Sequence, residues 1–214
     1  LEINHFMKRE DPRDVFLSNQ YKDFSDLPEG AVVGTSSLRR QAFILHKYPH
    51  LKIVPLRGNV ATRIEKLHQG QVDATFLAMA GLVRLELTSF ATRILETDEF
   101  LPACGQGVIG IEIRTGDETT ARYLDSISCP TTTLVAIAER AVLQVLDGSC
   151  HTPVGAYATL HNGRMNLKCA VAHPDGTYYL EDSIEGPVAN MQDAVTTGQV
   201  LGHRMRPKLP AGIL

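Results

Sequence analysis

The sequence has no apolar run approaching the roughly 20 residues that a bilayer-spanning helix needs, and no secretion-type apolar segment. It does not read as a membrane or secreted protein. It also lacks any C-x-x-C pair. Cys104, Cys129, Cys150 and Cys169 are scattered, which indicates neither a zinc knuckle nor a disulfide framework, so reduced, cytosol-like thiols and no metal are expected. No G-x-G-x-x-G or Walker pattern occurs, so a bound nucleotide is not supported, and nothing repeats internally. Excess positive charge is missing too: Lys and Arg number 21 against 24 Asp and Glu, a net charge of −3, which argues against nucleic acid as a partner. What is present is 214 residues, 43% hydrophobic, enough for one large domain or two small ones.

The stretch around which the chain is organised is Gly34-Thr35-Ser36-Ser37-Leu38-Arg39-Arg40-Gln41, which follows the apolar run Ala31 to Val33. A strand that ends in hydroxyl residues at a helix N-terminus offers unpaired N–H groups where the macrodipole favours negative charge, so it reads as an anion seat. Leu38, Ala42 and Leu45 recur with helical spacing, which predicts that this face packs on a sheet while Arg39 and Arg40 flank it. The competing reading is a capped helix with solvated arginines.

Two further strand–helix units follow. Leu51 to Leu56 leads through Arg57-Gly58-Asn59 into a helix with Asn59 as N-cap, Val60, Ile64 and Leu67 on one face, and Gly70 at its end. Ala74 to Ala78 is apolar on both faces, and Gly81 precedes a short helix bearing Arg84. The order β-α-β-α-β-α predicts a parallel sheet that binds ligands beyond its carboxyl strand ends. Arg39, Arg40, Arg57, Arg63 and Arg84 all fall there, which suits a ligand with several carboxylates or phosphates; the alternative is unrelated surface arginines. Glu10 to Asp14, with Pro12 inside it, reads as a charged, hinge-like turn.

Leu101 to Gly107 is a glycine-punctuated turn, and Val108 to Ile113 alternates as a strand; Cys104 reads as a packed thiol rather than a nucleophile. Pro130 opens a helix whose Leu134, Ile137, Ala138, Ala141 and Val145 form one apolar stripe ending at Asp147-Gly148, ahead of the loop Ser149 to Pro153. Asn162-Gly163 and Asp175-Gly176 are hairpin signals that join three strands into an antiparallel meander. Val188, Met191, Val195 and Met205 then spread over a long helical pattern interrupted by Gly198 and Gly202. The expected fold class is α/β plus α+β. The expected units are residues 13–101 as an α/β domain, residues 1–12 with 102–128 as the remnant of another α/β domain, and residues 129–214 as a C-terminal α+β domain.

Read together, Gly34 to Gln41, Leu56 to Arg63, Arg9 to Asp14 and Cys150 to Ala158 closely resemble the porphobilinogen deaminase (hydroxymethylbilane synthase) family, in order and over essentially the whole chain. The resemblance implies a monomeric, cytoplasmic or plastid transferase of tetrapyrrole and heme biosynthesis, with two periplasmic-binding-protein-like α/β domains and a smaller C-terminal antiparallel-sheet-and-helix domain. It implies that Cys150 carries a thioether-linked dipyrromethane cofactor. On this primer four porphobilinogens condense with loss of ammonia, before hydrolysis releases hydroxymethylbilane. Each pyrrole bears an acetate and a propionate, a partner for the arginines.

Carried over by motif position, Thr35, Ser37, Arg39 and Arg40 hold cofactor carboxylates, with backbone contacts from Ala78 and Gly81. Arg57, Arg63, Arg84 and Gln106 face porphobilinogen or the growing polypyrrole. The family's catalytic aspartate lies in a His-Ser-x-Lys-Asp motif ahead of the position matching Leu1, and no such motif occurs here. A fragment that lacks the catalytic acid is therefore expected, with the N-terminal segment as a further partner. Asp11 and Asp14 are poor substitutes, because they are expected in the turn. Ser149 departs from the family's glycine before the cysteine. Two other classes stay open: a non-catalytic binding domain for a carboxylated small molecule, and a Cys150/His151 hydrolase.

Overall fold

The computed structural model describes residues 1–148 and 152–213. In chain order its elements are β1 (Glu2–Phe6), β2 (Asp14–Ser18), β3 (Val32–Gly34), α1 (Leu38–Lys47), β4 (Lys52–Val54), α2 (Val60–His68), β5 (Ala74–Ala78), α3 (Met79–Arg84) and β6 (Arg93–Leu95). There follow β7 (Gly110–Ile113), α4 (Glu118–Asp125), α5 (Pro130–Val145), β8 (Val154–His161), β9 (Arg164–Ala172), β10 (Tyr179–Pro187) and α6 (Met191–Met205). The class is the expected one, an α/β unit with a smaller C-terminal antiparallel sheet and helices.

The strands form three sheets. The largest has the order β4-β3-β5-β2-β6; β3 pairs parallel with β4 and β5, and β2 runs antiparallel to both β5 and β6. The three expected strands are thus parallel as expected, and the antiparallel β2 makes the sheet as a whole a mixed one. The correction is β2 itself: Asp14 is not in a hinge-like turn but begins a strand whose Val15, Phe16 and Leu17 are buried. Because β2 is antiparallel, its first residue, Asp14, registers with Ala78 at the carboxyl end of β5. An acid thereby stands on the edge where α1, α2 and α3 begin.

Local chemistry explains the helix starts. Ser37 caps α1 by accepting from Arg40 N at 3.4 Å, and Asn59 caps α2 by accepting from Thr62 N at 2.9 Å. The buried face of α1 differs from the one expected. Arg39, Arg40, Ala42, Phe43 and Ile44 are buried, whereas Leu38 and Leu45 are only half-buried. The reason is that α1 has contacts on two sides. It packs on the large sheet, and its other side meets the C-terminal meander, where Phe43 stands edge-on to Tyr179 at 5.3 Å and His46 stacks on Tyr179 at 4.9 Å.

The C-terminal sheet is the meander β8-β9-β10, turning first at Asn162 (φ 50°) and Gly163 (φ 72°). Helices α5 and α6 lie together on it. The glycines of α6 do not interrupt that helix. Gly198 and Gly202 sit where any Cβ would collide with Ala138, Ala141 and Val145 of α5, so they permit close approach. The buried face is accordingly Ala194, Gly198, Leu201, Gly202 and Met205, while Met191 is exposed. In the third sheet β1 pairs antiparallel with β7.

The meander and α1 meet most closely at Gly176. A Cβ there would fall 2.5 Å from His46 N, and φ is +79°. Gly163 has φ +72° and open space around it. Gly176→Ala should therefore combine left-handed strain of about 1 kcal/mol with overpacking of about 1–3 kcal/mol, whereas Gly163→Ala should show the strain alone. Thermal denaturation followed by circular dichroism compares the two; equal losses would sink this account of the contact.

Candidate functional site

Asp14 is fully buried, and its carboxylate lies between two guanidinium groups. Arg39 Nη2 is 2.8 Å from Oδ2, Arg40 Nη2 is 2.6 Å from Oδ1, and Arg40 Nε donates to Oδ1 at 2.8 Å. Burial alone would raise this carboxyl, but the charges of Arg39 and Arg40 outweigh it and hold Asp14 below the ordinary value. Burial pushes Arg39 down, yet a guanidinium ordinarily titrates above about 12, so the cluster is ionic and carries a net positive charge. Each arginine also reaches backbone: Arg40 Nη1 donates to Phe76 O at 3.2 Å and Arg39 Nη1 to Leu101 O at 2.8 Å.

One donor is left over. Arg39 Nε is buried without a hydrogen-bond partner among the described residues. Arg39 lines a cavity of about 350 Å³ together with Ser37, Cys104, Leu143, Thr152 and Val154. The Cys150 assignment lies outside the described residues, as does His151; Thr152, two positions on, is part of the cavity wall. Cys104 is pushed up to about 12, first by burial and then by the charge of Glu139, which suits the packed thiol expected of it.

The other expected residues surround this point unevenly. Thr35 is buried and its hydroxyl accepts from Ser37 N at 3.1 Å. Gln106 is brought in by the 101–107 turn, donating to Pro12 O at 2.6 Å and accepting from Arg39 Nη2 at 3.4 Å. Arg63 is half-buried, its Nε donates to Gly58 O at 2.8 Å, and burial and then the charge of Arg40 push its guanidinium down. Arg57 is exposed at a neighbouring cavity of about 170 Å³ that Thr35 and Ser36 also line. Ala78 caps α3, and Gly81 faces Val60 at the start of α2. Arg84 is exposed at the far end of α3. The arginines thus divide into a buried pair compensated by Asp14, a half-buried third, and two exposed.

Sequence reasoning missed three charged groups. Asp14 was legible as an acid directly ahead of the apolar run Val15-Phe16-Leu17. Glu139 was legible as a charge inside the apolar stripe of α5. Arg9, which pairs with Glu139 at 2.5 Å, opens the motif Arg9 to Asp14, but nothing in that motif pointed to its partner. Among the described residues no cluster of three or more His, Cys, Asp or Glu could hold a metal ion.

Residues 1–122 match the family model described as porphobilinogen deaminase, dipyromethane cofactor binding domain, and residues 133–207 the one described as porphobilinogen deaminase, C-terminal domain. The porphobilinogen deaminase of Thiobacillus denitrificans is 49% identical over 92% of this chain and 64% of its own length. That of Nitrobacter winogradskyi is 48% identical over 95% of this chain and 63% of its own. The chloroplastic porphobilinogen deaminase of Oryza sativa subsp. japonica is 45% identical over 96% and 58%. The chain therefore spans just under two thirds of the length of these curated relatives. Among solved structures, a putative methionine-binding lipoprotein from Bacillus subtilis is 15% identical over 57% of this chain and 58% of that one, with a TM-score of 0.40.

Removing the acid that compensates two buried cations should be costly: Asp14→Asn is expected to lose about 3–5 kcal/mol of stability in urea denaturation at pH 7. The folded-state value of Asp14 lies below its unfolded one, so its contribution is complete well above the ordinary 3.8 and is lost as pH falls through the lower folded value. Wild-type stability should consequently drop more steeply than that of Asp14→Asn below about pH 4. Parallel pH profiles would contradict an ionised, buried Asp14.

Proposed function

The chain belongs to the porphobilinogen deaminase family, and from that premise we propose that it is the portion of such an enzyme that holds a dipyrromethane cofactor on Cys150 and the carboxylates of porphobilinogen and the growing polypyrrole on its arginines. The observation that carries this reading is Arg39 in the wall of a cavity shared with Thr152, with its buried Nε left without a hydrogen-bond partner among the described residues. Uncompensated buried donors are rare, and the net positive charge of the Asp14, Arg39 and Arg40 cluster suits an acetate or propionate oxygen. The residues present therefore fit the cofactor: Arg39 and Ser37 would meet it at the cavity wall, with Thr35 and Arg40 beside them.

Held there, the dipyrrole would supply a free ring carbon for the first porphobilinogen, and each new terminal ring would do the same for the next: the aminomethyl C–N bond would break with loss of ammonia, the ring carbon would exchange its proton for the new C–C bond, and hydrolysis after four additions would release hydroxymethylbilane. Arg57, Arg63 and Arg84, on the successive helices α2 and α3 and the loop before α2, are suited to gripping carboxylates as the product lengthens. Gln106, which accepts from Arg39 Nη2 at 3.4 Å, would join them in facing the substrate.

Positive charge that develops between rings needs a free carboxylate, and Asp14 does not qualify. Both of its oxygens are engaged by guanidinium groups and the side chain is closed to solvent. This supports the reading that the chain alone lacks the family's catalytic acid and is inactive without an N-terminal segment. The ribbon of β1 and β7, with α4 and the exposed Met7, Ile109, Tyr123 and Ile127 near it, is a suitable place for that segment to complete a first α/β domain from residues 1–12 and 102–128. Residues 13–101 and 129–214 would be the second and C-terminal domains. No helix among the described residues is long and apolar enough to cross a membrane. We place it in the cytoplasm or a plastid, the latter on the chloroplastic relative.

The test is the intact mass of the chain, produced in cells that make porphobilinogen, beside Cys150→Ser. The wild type should carry the mass of a dipyrrole that the variant lacks. An unmodified thiol, even when the family's N-terminal segment is co-produced, would overturn the proposal in favour of a non-catalytic domain that binds a carboxylated small molecule.

A further inference from the structure

Glu139 has no part in the chemistry above, yet it is a fully buried charge in the middle of α5. Among the described residues its carboxylate is met only by donors. Arg9 Nη1 and Nη2 approach at 2.5 and 3.3 Å, Gly105 N donates at 2.7 Å and Ala158 N at 2.8 Å. Burial pushes this carboxyl up from its ordinary value, but with four donors and no acceptor around it among those residues a protonated form would waste its hydrogen, so it is ionised at neutral pH.

The donors come from three separate parts of the chain: the segment ahead of β2, the turn ahead of β7, and β8. Arg9 also closes on the same turn from the other side, donating from Nε to Gln106 O at 2.9 Å. The 101–107 turn is thus clamped at Gly105 and Gln106 from behind. Its front holds Arg39, through Leu101 O at 2.8 Å and Gln106 Oε1 at 3.4 Å.

We propose that Glu139 is a positioning residue for the anion site: by fixing Gly105 directly and Gln106 through Arg9, it determines how Arg39 is seated in the wall of the cavity beside Thr152. The inference rests on the reading that this cavity takes a pyrrole carboxylate. Packing alone would not require an acid here, because an apolar side chain fills such a space without the desolvation cost. An amide could not replace it either. Glu139→Gln must turn its NH₂ towards at least one of the four donors, which displaces Arg9 or the turn.

The experiment uses the wild-type chain, Glu139→Gln, and Gly163→Ala as a variant strained at the turn between β8 and β9, where nothing packs against the new Cβ. In ¹H–¹⁵N spectra the buried Arg39 Nε–H gives a slowly exchanging resonance, assigned by its loss in Arg39→Lys. Glu139→Gln should shift that resonance and speed its exchange at least tenfold, and should weaken porphobilinogen binding in calorimetry at least fivefold. Gly163→Ala should leave the shift and the affinity at wild-type values. An unmoved Arg39 resonance in Glu139→Gln, or an equal disturbance in Gly163→Ala, would overturn the positioning role. A wild type that binds no porphobilinogen, with the resonance moving as stated, would instead leave the link between Glu139 and Arg39 standing and remove the functional reading beneath it.

Discussion

A carboxylate with no access to water, held between two adjacent arginines, is the constraint on which the ligand side of this chain depends. Asp14, Arg39 and Arg40 are each buried, and burial of an uncompensated ion costs several kcal/mol. Two arginines in the first turn of a helix also stand at the positive end of its dipole, where cations are disfavoured. Only the acid across from them makes their inward orientation tolerable. With the acid in place α1 presents Arg39, Arg40, Phe43 and Ile44 to its neighbours, and the hydroxyls of Thr35 and Ser37 end up beside fixed positive charge.

The same orientation ties the two halves of the molecule together. Phe43, next to the buried arginines along α1, belongs to a core cluster that runs from Phe16 and Phe76 in the large sheet to Ala170 and Ala172 in the meander. Arg39 lies against Phe100 at 5.4 Å in the same cluster. An apolar core and an ionic cluster thus share one helix. Neither can shift without the other, which is how a loop-rich site gains the rigidity that orienting a small anionic ligand demands.

What was legible beforehand follows from locality. Asn59 as a cap, Gly163 in its turn and the three strand–helix units at 31–84 are signals spanning a few residues, and each appears where it was expected. The direction of β2 is not local. Nothing between Asp14 and Ser18 says which way the strand runs, so the meeting of Asp14 with Arg39 and Arg40 was invisible, and with it the rotation of α1. The short β6 and the helix α4 were missed for want of length and of a buried face. Gly198 and Gly202 misled because a glycine in a helix looks the same whether it breaks the helix or admits a neighbour. The arginines were recognised as a group, but their division into compensated and exposed members depends on partners distant in the chain. The anchor assigned to Cys150 lies outside the described residues.

Helix α5 holds Glu139 against one part of the site, and its carboxyl end leads towards Thr152 in the cavity wall, with α6 pressed along it through glycines that leave no slack. Each added residue would turn everything beyond it by about 100° and advance it by about 1.5 Å. An insertion or deletion between Glu139 and Val145 could not be absorbed by sliding, because Gly198 and Gly202 mesh with particular residues of α5. The helix therefore works as a ruler of fixed length. In evolutionary terms this segment can drift by exchange of side chains but not by change of length, whereas the open turn at Asn162-Gly163 and the exposed end of α3 are where this chain could gain or lose residues at little cost.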